Sequence, residues 1–239
     1  MVMLFFLAAF VSEVAGTMAG FGSSTIFLPL ALLFVNFKAA LVLVAFLHIF
    51  GNLGRIVFFK HRIDWNLILK FGIPSILFTI IGALLVPRIP QDTLKGYLGV
   101  FLIGYAFYSL WKENFAVSPS STNAIVGGGI SGFLAGLIGT GGALRGAFLT
   151  GFRLPKEKYI ATAAVIALAV DITRIPLYIG MGFLESKYYW YIPILFLVAL
   201  VGSFTGKKIV KKISQRQFRK LILIAILLIG IKFVFDLLG

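Results

Sequence analysis

A chain of 239 residues in which 60% are apolar and only 13% charged has too little polar side chain to cover a water-facing surface, so its solvent is lipid. Its formal net charge of +14 would suggest nucleic acid in a soluble protein, but seven of the 22 basic residues crowd between Lys207 and Lys220, flanked by apolar stretches, and read as a cytoplasmic loop against anionic headgroups. The absence of cysteine excludes disulfides, thiol catalysis and thiolate metal sites together; His48 and His61 alone do not make a metal site, and no cofactor is expected.

The first apolar segment, 2–35, is too long for a simple span and is interrupted by glycine between Gly16 and Gly22. Met1 to Ala15 lacks the basic start of a signal peptide and is expected to remain in the mature protein. Segments at 37–59, 65–86 and 93–111 follow, each long enough to cross a hydrocarbon core about 30 Å thick. A polar linker, 112–123, carries Ser118-Pro119-Ser120-Ser121. Beyond it the pattern starts again: a long glycine-interrupted segment at 123–150, with glycines from Gly127 to Gly142, then 157–180, 188–206 and 219–238. All should be helices, because an open strand edge in lipid leaves backbone groups unpaired. The expected fold is an all-α integral membrane protein with an N-terminal membrane repeat, 1–111, and a C-terminal one, 124–239. Each repeat holds four hydrophobic segments, the first broken or re-entrant.

The halves match at a fixed offset of 119 residues: Gly20-x-Gly22 recurs as Gly139-x-Gly141, Asn52-x-x-Arg55 as Asp171-x-x-Arg174, and Pro74 as Pro193. Polar and glycine positions planted twice in apolar sequence suit a transporter in which each half supplies one wall of a central site. If each broken segment enters and leaves on one side, each half makes three crossings and the second half is inverted. That arrangement gathers Lys60, His61, Arg62, Lys112, Arg153, Lys156, Lys158 and the 207–220 cluster inside, and leaves Arg88, Asp92, Lys95, Glu185 and Lys187 outside. A parallel arrangement with four crossings per half would turn residues 60–62 outward.

Broken helices expose backbone N–H groups and positive half-helix ends that can replace an anion's hydration shell. Gly20, Gly22, Ser23 and Ser24 offer such groups with hydroxyls beside them, as do Gly139, Thr140, Gly141 and Gly142. Glycine can also serve close helix packing, the alternative here. Arg55 and Arg174 lie within apolar helices, where an arginine costs roughly 2.5–3.5 kcal/mol, so each requires a partner or a function. His48, Asn52 and Arg55 share one helix face at i, i+4 and i+7; Asp171 and Arg174 do the same at i, i+3, and Asp171 can equally neutralise Arg174. Arg145 follows the second glycine break. Glu13, an intramembrane acid with no basic residue within a turn on its own helix, is the proton-coupling candidate.

Gly20-x-Gly22 with Pro29 behind it, Gly139-x-Gly141-Gly142, the Ile63-Asp64-Trp65 start of the third segment and Gly82-Ala83 within it resemble the sulfite exporter TauE/SafE family of membrane permeases over nearly the whole chain. The chain departs from that pattern at Ser23, Ser24, Ala143 and Phe148. The resemblance implies transport of a small sulfur-containing anion such as sulfite or an organosulfonate, and a multi-pass protein of the cell (cytoplasmic) membrane. The residues themselves indicate an anion, bound at mid-membrane between the repeats, with the lipid bilayer and no nucleic acid as partner; a homo-oligomer is compatible with the sequence. No nucleotide-binding loop is present, so ATP hydrolysis by the chain itself is not expected. An intramembrane enzyme acting on a phosphorylated lipid is the alternative, and fits less well because no pair of carboxylates accompanies Ser23 or Ser24.

Overall fold

The computed structural model describes residues 1–19, 22–59, 63–111, 117–209 and 215–238, and every regular element among them is helical. In chain order these are α1 (Val2–Ala19), α2 (Ser24–Ala31), α3 (Phe37–Phe59), α4 (Trp65–Leu67), a π-helical turn (Ile68–Gly72), α5 (Ile73–Leu85), α6 (Gln91–Trp111), α7 (Ser121–Ile138), α8 (Gly142–Gly151), α9 (Lys156–Gly180), α10 (Tyr191–Ile209) and α11 (Gln215–Leu238). Lys60, His61, Arg62, Lys112 and part of the 207–220 basic loop lie outside the described residues.

Among the described residues, six helical stretches are long and apolar enough to cross a membrane: Phe37–Val57, Trp65–Arg88, Ser121–Ile138, Lys156–Gly180, Ser186–Ile209 and Lys220–Leu238. The chain is a multi-pass membrane protein. The segment 93–111 falls short of this set although α6 has 21 residues, because Gln91, Asp92 and Lys95 make its first turns polar. α2 and α8, with 8 and 10 residues, reach only about 12 and 15 Å, roughly half a hydrocarbon core.

Local chemistry sets the helix ends. Asp64, in extended conformation, accepts the Leu67 N–H at 2.9 Å and starts α4. The π turn lies just ahead of Pro74, where the missing N–H cannot continue an α-helical ladder. Ser120 accepts from the Asn123 N–H at 3.0 Å to start α7, and Gly139, at φ 74°, ends it in the left-handed conformation that glycine adopts without strain.

The glycine run expected to break the segment 123–150 does so only at its end. Gly127 to Gly136 lie within an unbroken α7, and the interruption is confined to residues 139–141. Gly128, Gly132 and Gly136 press α7 against the backbone of the helix formed by the π turn and α5: a Cβ on each would meet the carbonyl oxygens of Phe71, Ser75 and Thr79 respectively. Ser75 Oγ donates to the Gly128 carbonyl and Thr79 Oγ1 to that of Gly132, both at 3.0 Å, so the hydroxyls bond across the contact that the glycines open.

The helix bounds carry the sequence offset. α1 and α7 begin and end 119 residues apart, and α3 and α9 begin 119 apart. Packing follows the same exchange: α1 lies on α10 as α7 lies on α5, α3 on α10 as α9 on α5, while α3 with α9 and α6 with α11 pair directly. α2 is buried along nearly its whole length, with Phe27 and Leu28 fully enclosed beside Leu41, Leu43 and Leu47 of α3. Leu197, Val201, Leu221 and Leu228 on α10 and α11 are exposed, as a lipid-facing surface requires.

Candidate functional site

Around α2 and α8 the two halves meet. Thr25 Oγ1 on α2 and Thr140 Oγ1 in the second break hydrogen-bond at 2.8 Å, both fully buried. Gly22, at φ 86°, leads into α2. The residues preceding the two short helices, Ser23 and Gly141, provide no side-chain cap, so the first N–H groups of α2 and α8 keep their donor capacity. Ser131 Oγ donates to the Gly141 carbonyl at 2.8 Å and fixes the second break against α7. Gly142 and Ser24 are the first residues of their helices, and both are buried. Gly20 lies outside the described residues.

Each arginine of the internal repeat, Arg55 and Arg174, finds an acid, by a different route in each half. Arg174 donates through Nε and pairs through Nη2 with Asp171 Oδ1, at 2.9 and 2.8 Å, and through Nη1 to the Ala135 carbonyl of α7 at 2.8 Å. Arg55 has the neutral Asn52 at the matching position, bonding its Oδ1 at 2.8 Å, and takes its counter-charge from α1: Nη2 reaches Glu13 Oε1 at 2.8 Å and Thr17 Oγ1 at 3.1 Å. Ser203 on α10 donates to the same Glu13 oxygen at 2.7 Å. α1 itself offers Glu13 no base, and the partner comes from another helix, which proximity along α1 does not reveal.

The two arginine clusters are joined by histidine. His48 on α3 places Nδ1 2.8 Å from Asp171 Oδ2 on α9. Its other nitrogen, Nε2, is buried and has no partner, and lies 3.2 Å from where a Cβ on Gly22 would stand. Asn52 Nδ2 and Ser23 Oγ are likewise buried with unused hydrogen-bonding capacity, as are Ser12 Oγ and the second oxygen of Glu13.

Arg145 on α8 differs from the other two arginines. It is only 7% exposed, and neither acid of this centre bonds it: Glu13 pairs with Arg55, and Asp171 with Arg174 and His48. It stands within electrostatic reach of His48, Asp171, Arg55 and Arg174. Because Glu13 balances Arg55 and Asp171 balances Arg174, the charge of Arg145 is the surplus of this centre. An arginine this enclosed, with the neighbouring acids bonded to other groups, calls for an anion.

The structure thus brings together Gly22, Ser23, His48, Asp171 and Arg174 by direct neighbourhood, and Thr140 and Gly141 through the Thr25 and Ser131 bonds. Asn52 and Arg55 form an adjoining cluster on α3. Thr17, Thr25, Ser203 and the Ala135 carbonyl complete the network and were not singled out as site residues by the sequence. Thr25 alone had a signal, as the third of three consecutive hydroxyl residues after Gly22.

No solved structure matches the chain. It is 29% identical over 177 residues to a Methanocaldococcus jannaschii protein named "Probable membrane transporter protein". That match covers 67% of this chain and 66% of the relative, so the chain spans just under two thirds of the length of the curated relative it matches. The family model described as Sulfite exporter TauE/SafE matches residues 4–233, and the chain belongs to the sulfite exporter TauE/SafE family.

Proposed function

We propose that the chain is a transporter that carries a small sulfur-containing oxyanion, such as sulfite or a sulfonate, across the cell membrane. The observation that carries this reading is Arg145, an enclosed arginine in a centre whose two acids are bonded to the other two arginines. The uncapped N-termini of α2 and α8 and the unused donors of Ser23 and Asn52 add hydrogen bonds of the kind an oxyanion accepts. Sulfur is named by the family; the charge is named by the site.

In this reading the anion binds at mid-membrane between an N-terminal repeat ending near residue 111 and a C-terminal repeat starting near 124. The repeats are inverted. Two sets of contacts support the inversion. Lys158 pairs with Asp64 at 2.8 Å, joining the loop before α4 to the start of α9, while Asn36 bonds Glu185 at 3.4 Å and Gln91 Oε1 accepts the Phe37 N–H at 3.0 Å at the opposite ends of α3 and α9. Four full crossings per half would place residues 64 and 158 on opposite faces. A pair of half-length helices with positive ends beside a shared site is the arrangement by which inverted-repeat transporters hold anionic groups.

The test is a thermal-shift series on the purified full chain with sulfite, sulfate, methanesulfonate, phosphate and chloride. Stabilisation grows as RT ln(1 + [L]/Kd), so an anion held at about a hundred times its Kd raises stability by about 2.7 kcal/mol. Sulfur oxyanions should shift the midpoint of the wild type, and Arg145→Met should abolish the shift. An equal response of wild type and Arg145→Met to every anion would remove the basis of the reading.

A further inference from the structure

We propose that His48 matches the charge of this site to its ligand, taking up one proton with each doubly charged oxyanion and none with a singly charged one. The inference rests on the anion reading of the same site and names the ligand's charge class and the group that responds to it.

The tautomer follows from the geometry. Asp171 Oδ1 receives two bonds from Arg174, so the carboxylate is held as an anion and can only accept. His48 Nδ1, 2.8 Å from Asp171 Oδ2, must then be the N–H that donates. In the neutral ring Nε2 carries a lone pair. That nitrogen is buried, has no partner, and faces the backbone at Gly22, at the first glycine break. A lone pair turned toward an oxyanion repels it. A proton on Nε2 converts the repulsion into a charge-assisted hydrogen bond.

The charge balance sets when this happens. With Glu13 on Arg55 and Asp171 on Arg174, Arg145 alone neutralises a monoanion. A dianion leaves one negative charge over, and the imidazolium of His48 supplies the missing positive charge. Without an anion, an imidazolium would add a second uncompensated positive charge beside Arg145. The remaining charged groups near His48 are accounted for: Asp171 and Arg174 on α9, Arg145 on α8, and Arg55 on its own helix, bound to Glu13 of α1. α2 contains no titratable residue, the lysines of α10 are in its last turn, and Asp92 pairs with Lys95 at the start of α6. The proton is drawn from bulk water on the side where the anion enters, adds to the Nε2 lone pair, and returns to water where the anion leaves, so each dianion crosses with one proton.

Two probes separate the cases, because sulfate and methanesulfonate both stay unprotonated near neutral pH and any proton taken up must come to rest on the protein. Calorimetric titration of the purified full chain in buffers of different ionisation enthalpy should give about one proton per sulfate bound and none per methanesulfonate. By linkage, the sulfate Kd should weaken about tenfold per pH unit once His48 is neutral in the anion-free protein, while the methanesulfonate Kd stays flat. His48→Gln should bind sulfate without proton uptake, at whatever affinity remains. Independently of any variant's folding, the ¹⁵N resonances of the His48 ring should change from neutral to imidazolium on adding sulfate; the chain has two histidines, so the signal is assignable. Proton uptake unchanged in His48→Gln, equal uptake with both anions, or a ring that stays neutral with sulfate bound would overturn the inference while leaving anion binding standing. Failure of the protein to bind either anion would instead remove the anion reading, and this inference with it.

Discussion

The hydroxyls of Thr25 and Thr140 hydrogen-bond at 2.8 Å across 115 residues of sequence and tie the start of α2 to the break before α8. Both are fully buried, so neither can turn to water for a replacement partner. Thr140→Val keeps the shape and strands the Thr25 hydroxyl, which should cost about 1–3 kcal/mol. Thr25→Val should cost a similar amount. The double variant leaves no orphan and should be less destabilised than the two costs combined. Unfolding midpoints of the four proteins in detergent make the check, and strict additivity would mean that the hydroxyls do not depend on one another.

The ion pair of Glu13 and Arg55 gives a second prediction. Glu13 is fully buried and the Arg55 side chain 14% exposed, so Glu13→Gln leaves a partly buried guanidinium without its counter-charge and should destabilise by up to about 3 kcal/mol. Glu13→Gln combined with Arg55→Met removes both charges and should recover most of that loss. If Glu13→Gln alone is as stable as wild type, the guanidinium has another acceptor and the pair does not hold α1 to α3.

What the sequence made legible was repetition. Arg55 and Arg174 in apolar helices, with Gly20-x-Gly22 and Gly139-x-Gly141 ahead of them at the same offset, single out the candidate centre, because charge in lipid requires a reason and glycine pairs at fixed offset require one twice. What it hid were partners that approach across helices. Glu13 is 42 residues from Arg55 and Ser203 is 190 from Glu13, and nothing in apolar periodicity indicates which helix faces α1. The glycines 127–136 were ambiguous for a related reason: glycine looks alike in a break and in a helix that another backbone approaches closely, and only the position of α5 distinguishes them. The spacing puts His48 on one face of α3 with Asn52 and Arg55, but its bond to Asp171 depends on how α9 sits against that face.

That glycine contact yields a paired test. A Cβ on Gly132 would collide with the Ser75 carbonyl, which is backbone and cannot give way, so Gly132→Ala should separate α7 from α5 and destabilise by more than about 2 kcal/mol. On Gly129 the same Cβ meets only the Phe78 ring at 3.5 Å, an ordinary contact. Gly129→Ala should be neutral or stabilising by up to about 1 kcal/mol through helix propensity. Equal effects of the two substitutions on the unfolding midpoint would contradict this packing of α7 on α5.

The last prediction concerns pH at the start of α4. Asp64 Oδ2 pairs with Lys158 at 2.8 Å, its Oδ1 accepts the Leu67 N–H at 2.9 Å, and its own N–H donates to Thr162 Oγ1 at 3.0 Å, so one residue caps α4 and ties it to α9. The Lys158 ammonium first, and the Leu67 N–H after it, hold the carboxyl below its ordinary value of 3.8. Because the folded value is the lower one, the contribution to stability is complete above the ordinary carboxylate value and is lost as pH falls through the folded value. Lys158 is 37% exposed, so the pair is screened and worth at most about 1 kcal/mol. Asp64→Asn keeps a side chain able to cap α4 and removes only the charge. The wild-type midpoint should therefore fall more steeply than that of Asp64→Asn between about pH 5 and about pH 3. Lys158→Met should flatten the acid limb partway, since the Leu67 N–H remains. Parallel acid limbs for wild type and Asp64→Asn would show that the carboxylate's charge contributes nothing to holding α4 against α9.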